Sequence, residues 1–376
     1  MDTHSIDVLR TCVSVHSTYP NEASFGSYIA DLLTNAGCTV SIQKVDGNRC
    51  NILAEKGTGK TSVLLYAHLD TVAVVNGWKT DPFQLTIRGD KAYGLGVWDM
   101  KGGLSGNIQA FLAFQPKNIK LKCAFCVDEE NISLGGHTLI KSNFMKDVSC
   151  VISPEPAFFY GNAGVVIGRV GRCVYTVVIK GDSRHFARYD KKSDINLFAS
   201  SFLSALTKLY KKNGDKKQFV FARSITSQAV GLSIPEQTLI ELDACILPPC
   251  TNAMMLRDIQ KIASGVSKQF SSEFTVTVSY KNRRTEFLDP YIISTTNRYL
   301  TAMKKCIREV THVRARPYFR SSVADENIFG SHGYTVLGIG AVGGNAHAPN
   351  EWISLRSLAI YSRVLKTFLS NVDKTT

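Results

Sequence analysis

The chain has 376 residues, of which 44% are hydrophobic and 20% are charged, a balance typical of a globular protein that excludes a disordered or fibrous chain. At about 150 residues per domain, this length predicts two to three domains. The net charge of +13 raises nucleic acid or acidic substrates as partners. No apolar run reaches the ~18–20 residues of a membrane-spanning helix, and the first residues do not resemble a signal peptide, so we expect a cytoplasmic protein without a membrane partner.

The elements of the N-terminal third alternate between helix and strand. Apolar residues recur at helical spacing over 22–36, and helix-like stretches also occupy 103–114 and 134–142. Along the whole chain, four short apolar runs are typical of strands that are covered on both faces, as in parallel sheets. These runs are 62–67, 123–127, 150–152 and 335–339. The pattern predicts an α/β fold with a mostly parallel sheet.

The middle of the chain has a different pattern, rich in β-branched strands. It predicts two helices on a four-stranded sheet, a small α+β unit inserted into the α/β part. Within this unit, the basic stretch from Lys211 to Lys217 is expected at a helix end. Strands are predicted at 172–180, 224–232, 238–246 and 274–280, and helices at 193–212 and 253–268.

Two of the ten cysteines, Cys123 and Cys126, have CxxC spacing. They lie inside an apolar run, and the chain has no second CxxC pair. Because no signal peptide directs the chain to an oxidising compartment, reduced thiols are favoured over a disulfide framework. We therefore interpret this pair as small buried residues of a strand.

Potential metal ligands follow the apolar strands of the α/β part. Since ligands bind beyond the carboxyl ends of strands in open α/β sheets, the groups that follow strands are expected to converge, and the loop of Asp99 can join them. In chain order, the groups are His68-Leu69-Asp70, Asp99 after the glycine-rich loop 94–98, Asp128-Glu129-Glu130, Glu155 between two prolines, and His347.

The residue types indicate which metal and how many ions. Two imidazoles with carboxylates and no cysteine suit Zn²⁺, with Co²⁺ or Mn²⁺ as substitutes. As ligands, Asp99, Glu130 and Glu155 carry three negative charges, which two divalent ions and a hydroxide balance better than one ion. Asp70 lies two residues from His68 in an extended strand, so it can hold the other ring nitrogen of that histidine. Of the adjacent glutamates, one can bind metal while the other serves as general base.

Each of these motifs alone also has an ordinary structural interpretation. A histidine and an aspartate can simply end a strand, an acidic triplet can form a solvated turn, and a histidine beside proline can lie in a loop. Five such groups at strand ends or glycine-rich loops together favour a metal site.

The order of these motifs resembles the di-zinc deacylase and carboxypeptidase family, which includes acetylornithine deacetylase, succinyl-diaminopimelate desuccinylase, aminoacylase and glutamate carboxypeptidase. The resemblance extends over essentially the whole chain, and the stretch from Gly77 to Gly96 is most similar to the acetylornithine deacetylase branch. The motifs that carry it are His68-x-Asp70, Asp99-Met100-Lys101-Gly102-Gly103, Asp128-Glu129-Glu130, Pro154-Glu155-Pro156 and His347-Ala348-Pro349-Asn350-Glu351.

The resemblance implies a role for each residue of the site. Asp99 matches the ligand that bridges two zinc ions, Asp70 matches the aspartate behind the ligands, and Glu129 matches the general base. The implied metal ligands are His68, Asp99, Glu130, Glu155 and His347. The reaction expected from this set is hydrolysis of a linear amide, in which Glu129 takes the proton of the attacking water and gives it to the leaving amine.

The family also implies a domain organisation. A catalytic domain of residues 1–165 and 285–376 is expected to carry an inserted, ferredoxin-like lid and dimerisation domain of residues 166–284. His185 resembles the histidine that reaches a neighbouring subunit's active site and supports the oxyanion, which implies a homodimer; an ordinary exposed loop histidine is the alternative. The chain differs from the family pattern at Leu232, where asparagine is common, and at Cys245, where arginine is usual.

The expected substrate is a small, carboxylate-bearing N-acyl amino acid, with Arg316 or Arg320 as candidate clamps for the carboxylate. A carboxypeptidase or dipeptidase acting on short peptides is the first alternative. A basic protein that binds nucleic acid without catalysis is a remote one, because the basic pairs are dispersed and lack interleaved aromatic residues. We therefore predict no nucleic-acid partner.

Overall fold

The computed structural model describes residues 3–157, 159–270 and 274–375. The chain divides into two compact units. The main unit comprises Met1–Gly168, Ile292–Phe319 and Ala324–Thr376, and the inserted unit comprises Arg169–Tyr291 and Arg320–Val323.

The helices and strands are numbered in chain order. The helices are α1 Thr3–Ser14, α2 Ala23–Asn35, α3 Gly102–Ala113, α4 Leu134–Ile140, α5 Ile195–Leu206, α6 Asn252–Ser267, α7 Arg298–Thr311, α8 Glu326–Ser331 and α9 Leu355–Thr375. The strands are β1 Val40–Asp46, β2 Arg49–Lys56, β3 Ser62–His68, β4 Thr86–Arg88, β5 Lys91–Tyr93, β6 Lys120–Cys126, β7 Val148–Ser153, β8 Gly164–Arg169, β9 Gly171–Lys180, β10 Lys211–Asn213, β11 Lys216–Ser227, β12 Gln237–Ile246, β13 Thr275–Tyr280, β14 Tyr291–Ile292, β15 Arg316–Arg320, β16 Thr335–Gly338, β17 Gly343–Gly344 and β18 Trp352–Ser354.

The large sheet of the main unit has a parallel centre. Strands β6, β3, β7 and β16 are adjacent and parallel, and every residue of β3 is buried, as its continuous apolar sequence predicts. Antiparallel strands extend the sheet, with β2 beside β6 and β8 beside β16. The four apolar runs therefore form the parallel strands that the sequence predicts, and the mixed α/β fold class is confirmed.

Helix α3 packs between the large sheet and α9 in the core of the main unit. Leu104, Ile108 and Phe111 are fully buried. Gly106 allows the close approach of α9, because a Cβ atom there would lie 2.8 Å from the ring of Tyr361. Truncating a buried leucine in such a core typically costs about 2–5 kcal/mol of unfolding free energy.

The inserted unit is an antiparallel sheet with two helices. Its strands lie in the order β10-β11-β12-β9-β13, and their connection through α5 and α6 is that of a ferredoxin-like fold with an added hairpin strand. Phe198 and Phe202 of α5 and Ile259 of α6 are buried in its core. The start of α5 is capped by the side chain of Asp194, which accepts hydrogen bonds from two backbone N–H groups. The predicted inserted α+β architecture is thus confirmed.

Two predictions for this region are wrong in detail. The helix predicted over 193–212 ends at Leu206, and the strand predicted over 224–232 is β11, which begins at Lys216. The basic stretch is consequently a hairpin, in which Asn213 pairs with Lys216. Gly214, with a φ of 59°, supplies the left-handed turn, and this Asn-Gly signal outweighs the helical pattern before it.

The CxxC pair lies in β6, where both thiols are fully buried. Burial raises the pKa of Cys123 and of Cys126 well above the usual value for a thiol. All ten cysteines are free. The interpretation as buried strand residues is therefore confirmed.

Among the helices of the described ranges, none has both the length and the apolar character needed to cross a membrane.

Candidate metal centre

The parallel register brings the predicted ligands to one edge of the large sheet. His68 ends β3 and is paired with Cys126, the last residue of β6, so His68 and the acidic triplet 128–130 leave the sheet together. β7 ends at Ser153, two residues before Glu155. Because parallel strands end at the same edge of the sheet, the direction of the strands is sufficient to bring the three segments together there.

Asp99 lies between the two histidines. Its Oδ1 atom is 3.3 Å from Nε2 of His68, and its Oδ2 atom is 3.3 Å from Nε2 of His347. The segment Val97–Lys101 that carries it is non-helical at Asp99 and Met100, and the peptide bond between these two residues is cis. One carboxylate therefore presents one oxygen to each imidazole.

Two overlapping groups of potential ligands share Asp99. His68, Asp99 and Glu155 form the first, which we name the inner subsite, and Nε2 of His68 is 3.8 Å from Oε1 of Glu155. Asp99, Glu130 and His347 form the second, the outer subsite, where Nε2 of His347 is 2.9 Å from Oε1 of Glu130. The ring of His68 is buried, whereas 51% of the His347 side chain is exposed. The five predicted ligands are thus brought together in two subsites.

The charge of this cluster fits cations. Hydrogen bonds to Asp99 and Glu130 raise the pKa of His347 to about 11, so the carboxylates, which outnumber the imidazoles, hold positive charge at this position. Burial and the negative charge of Glu155 raise the pKa of Glu129 well above the usual value for a carboxyl group. Imidazole nitrogens with carboxylate oxygens are the donors of zinc and of related divalent ions. The residues present therefore fit two such ions with Asp99 between them.

Asp70 joins His68 to the two glutamates. Nδ1 of His68 is 2.9 Å from the backbone carbonyl oxygen of Asp70, a bond that orients the ring with Nε2 toward the cluster. The carboxylate of Asp70 is fully buried and accepts hydrogen bonds from the backbone N–H groups of Glu129 and Glu130, at 3.1 and 2.8 Å. The sequence predicts a contact of Asp70 with the histidine ring, and Oδ1 of Asp70 lies 3.7 Å from Nδ1 of His68. The same carboxylate also holds the backbone of the predicted base and of a predicted ligand.

Glu129 lies beside His68 and Glu130, within reach of a common ion. The preceding residue, Asp128, has a left-handed φ of 76° and is buried. Its carboxylate accepts a 2.7 Å hydrogen bond from Arg49, which also donates to both oxygens of the buried Glu22. A buried group of three charges therefore stabilises the turn that carries Glu129.

The model of Peptidase family M20/M25/M40 matches residues 64–371 of the chain. This protein belongs to that family. The chain is 24% identical over 313 residues to the succinyl-diaminopimelate desuccinylase of Helicobacter pylori, covering 82% of this chain and 78% of that protein.

Two solved structures of family M20 share the fold. The metallo-carboxypeptidase Sso-CP2 of Sulfolobus solfataricus superposes with a TM-score of 0.73 at 18% identity, over 100% of both chains. The YXEP protein of Bacillus subtilis, a dinuclear metal binding peptidase, superposes with a TM-score of 0.77 at 14% identity, over 100% of this chain and 99% of that one. At these identities the likeness establishes the fold.

In this M20 protein, several residues that hold the site have no role assigned from sequence. Glu351 lies in the motif that contains His347, and its buried carboxylate accepts hydrogen bonds from the backbone N–H groups of Gly96, Trp98 and Asp99. Arg49 and Glu22 give no sequence signal, because they precede Asp128 by 79 positions or more and resemble surface charges. The only hint for Glu351 is its place in the motif.

The predicted His185 belongs to the inserted unit. Its side chain is exposed at the start of the short turn Phe186–Arg188, where Nδ1 accepts a 3.3 Å hydrogen bond from the backbone N–H of Ala187. Leu232, the first departure from the family pattern, is 66% exposed and accepts a hydrogen bond from the N–H of Phe186. Cys245, the second, lies on β12 opposite Arg172.

The two candidate carboxylate clamps lie in different surroundings. Arg316 is exposed and stacks over the ring of Tyr160, 5.2 Å from its centroid. Arg320 is buried and belongs to the inserted unit. The role of either arginine as a carboxylate clamp stays a prediction.

Proposed function

We propose that the protein is a di-zinc hydrolase that removes the acyl group from a small N-acyl amino acid. The observation that carries the proposal is the carboxylate of Asp99, whose two oxygens face two ligand groups, with Glu129 beside them. A shared carboxylate is the arrangement used by two-metal hydrolases. Co²⁺ or Mn²⁺ are possible substitutes for zinc, because they accept the same nitrogen and oxygen donors.

Glu129 is the general base of the proposed reaction. Two divalent ions in these subsites would supply a water of lowered pKa and polarise the amide carbonyl. Glu129 accepts a proton from the water as the oxygen of that water forms a bond to the acyl carbon. When the C–N bond breaks, Glu129 gives this proton to the nitrogen of the leaving amine.

The substrate class is supported by the relatives and by charge. The relatives in Helicobacter pylori and in Staphylococcus aureus carry the names succinyl-diaminopimelate desuccinylase and probable succinyl-diaminopimelate desuccinylase. The excess of 13 positive charges favours the approach of a substrate that bears carboxylates. A carboxypeptidase or dipeptidase activity is the second candidate, supported by structural neighbours named human carnosine dipeptidase 1 and the dipeptidase Dug1p of Saccharomyces cerevisiae.

We infer that the inserted unit, residues 166–284 in the sequence-based division, is a lid that also forms a homodimer. In this proposal His185 reaches the oxyanion of the neighbouring subunit's substrate, a role for which its side chain is suitably exposed. The ten free thiols are compatible with the reducing cytoplasm, where we expect the protein.

A substrate panel tests the proposed function. The purified protein is stripped with a chelator, reloaded with Zn²⁺ or Co²⁺, and assayed with N-acetyl amino acids, N-succinyl-diaminopimelate and dipeptides. We expect turnover only after reloading, with the highest kcat/KM for an N-acyl amino acid. A preference for dipeptides would favour the second candidate, and retention of full activity after verified metal removal would contradict the metal-dependent mechanism.

A further inference from the structure

Glu351 holds the backbone of the segment that carries Asp99. Its Oε1 atom accepts hydrogen bonds from the N–H groups of Trp98 and Asp99, at 2.8 and 2.9 Å, and its Oε2 atom accepts one from Gly96 at 2.7 Å. The residue is 2% exposed. A buried carboxylate that satisfies three N–H groups fixes the direction in which the next side chain leaves the backbone.

The same residue belongs to the loop that carries His347. This loop runs from β17 to β18, and its residues Asn345 and His347 have left-handed φ angles of 63° and 59°. The side chain of Asn345 donates to the carbonyl oxygen of Asn350, immediately before Glu351. The loop is therefore braced internally, and Glu351 connects it to the segment of Asp99.

Asp99 and His347 are two of the three ligands of the outer subsite, and both depend on this connection. The other two residues of the inner subsite, His68 and Glu155, lie on segments that are attached to the parallel sheet. From this difference we propose that Glu351 is a positioning residue that sets the separation of Asp99 and His347 and thereby controls metal occupancy of the outer subsite. The proposal rests on the two-metal site of the proposed function.

The Glu351→Gln variant weakens this connection with little change in side-chain volume. An amide has one acceptor oxygen, so its NH₂ group must face at least one of the N–H donors, and that hydrogen bond is lost. The variant also removes a negative charge near the cations. Glu351→Asp keeps the negative charge but shortens the side chain. It therefore distinguishes an effect of side-chain position from an effect of charge alone.

Asp373 offers a matched control in the same unit. It is 6% exposed, and its carboxylate accepts hydrogen bonds from the N–H groups of Lys117, Asn118 and Ile119. It joins α9 to the loop before β6, and these hydrogen bonds go to that loop, which carries none of the predicted ligands. Asp373→Asn therefore removes an equivalent buried contact and tests for a general loss of stability.

The experiment is a titration of the metal-free full-length protein with Co²⁺ alone, followed by its visible absorption and by the shift in thermal midpoint. We expect wild type and Asp373→Asn to bind two equivalents. In Glu351→Gln and Glu351→Asp, the second equivalent is expected to bind about 10–100-fold more weakly, the usual cost of losing a partner behind a metal ligand. The first equivalent shares Asp99 but is also held by His68 and Glu155, so its affinity should change less. Circular dichroism of the metal-free variants verifies that each remains folded.

The outcomes separate this proposal from the function. If wild type binds fewer than two equivalents, the two-metal site fails and the positioning role fails with it. If wild type binds two and Glu351→Gln binds both as tightly, only the positioning role is overturned. If Glu351→Asp binds both equivalents as tightly as wild type while Glu351→Gln binds the second more weakly, the negative charge of Glu351 matters rather than its position, and the positioning role is overturned. If Asp373→Asn loses as much affinity for the second equivalent as Glu351→Gln, the effect reflects a general loss of stability, and the positioning role is also overturned.

A variant of the loop covers the case in which neither Glu351 variant folds. Asn345→Gly keeps the left-handed backbone at this position but removes the hydrogen bond that braces the loop beside Glu351. If Glu351 transmits its position through this loop, the second equivalent of Co²⁺ must bind more weakly to Asn345→Gly than to wild type. Binding of both equivalents at the wild-type affinity would overturn the proposal.

Discussion

The two units hold their candidate functional side chains in different ways. In the main unit, buried carboxylates of one segment accept N–H groups of another, as Asp70 does for Glu129 and Glu351 does for Asp99. In the inserted unit, aromatic residues fill the core, while the side chain of His185 is exposed and accepts a local hydrogen bond from Ala187. The predicted ligands of the main unit are therefore held in place by the fold of that unit, whereas the predicted role of His185 depends on a group outside its own loop. Substitutions in each unit test this difference.

The largest effect is expected for Glu129→Gln, which removes the proposed base and keeps the backbone bonds that hold it. General acid–base groups typically contribute ~10²–10⁴-fold to the rate, so kcat should fall by that factor while two metal ions remain bound. Steady-state kinetics and metal analysis of the same sample measure both. Full turnover by this variant would remove Glu129 from the mechanism.

His185→Ala tests the exposed residue. Loss of an oxyanion donor typically lowers kcat by ~10²–10³-fold, and metal content should not change, because His185 is not in either subsite. A mixture of His185→Ala with Glu129→Gln subunits sharpens the test. If the histidine acts on the neighbouring subunit, mixed dimers regain part of the activity; unchanged kcat in the single variant would exclude the role.

Asp70→Asn tests the preorganised side of the comparison. The side chain keeps one acceptor but must turn an NH₂ group toward an N–H donor of Glu129 or Glu130. Losses of about 10–100-fold in metal affinity or activity are usual for such partners. Competition with a chromophoric chelator measures the affinity, and an affinity equal to wild type would show that the hydrogen bonds of the Asp70 carboxylate do not position the ligands.

Phe198→Ala should separate the units energetically. Phe198 is fully buried in the core of the inserted unit, so truncation should cost about 3–5 kcal/mol of unfolding free energy. Metal affinity at the main unit should stay at the wild-type value in protein that remains folded. Denaturant unfolding and Co²⁺ binding provide the two readouts, and a parallel loss in both would contradict independent positioning of the ligands.

The smallest effect is expected at Asp147, a peripheral charge of the main unit. Partial burial opposes its ionisation, but hydrogen bonds from Lys122 and Lys120 outweigh burial and lower its pKa. Its contribution to stability is therefore present above the unfolded-state pKa and is lost as the pH falls through the folded-state value. Asp147→Asn should cost about 1 kcal/mol at pH 7, because solvent partly screens the pair with Lys120 and the buried ammonium of Lys122 keeps its hydrogen bond to the carbonyl oxygen of Phe144. The difference in unfolding free energy between the variant and wild type should shrink below pH 3.8, the ordinary pKa of this carboxyl group. A difference that stays constant with pH would show that ionisation of Asp147 does not contribute to stability.

Residue patterns were sufficient to predict the parallel strands, the inserted α+β unit and the types of ligand. Apolar runs form strands that are covered on both faces, and parallel strands end at the same edge of the sheet. The sequence pattern therefore predicts that His68, Glu130 and Glu155 lie close together. The hairpin at Lys211–Lys217 was missed because a continuous helical pattern concealed its Asn-Gly turn.

The detailed geometry of the site depends on packing between segments that are distant in the sequence. No local pattern states which oxygen of Asp99 faces which histidine, that Arg49 joins Glu22 to Asp128, or that Glu351 accepts three N–H groups from a segment 252 to 255 positions earlier. These contacts depend on the relative placement of distant segments, which follows from burial of the whole core. The sequence therefore identifies the chemistry of the site, and the folded chain defines the geometry in which that chemistry is held.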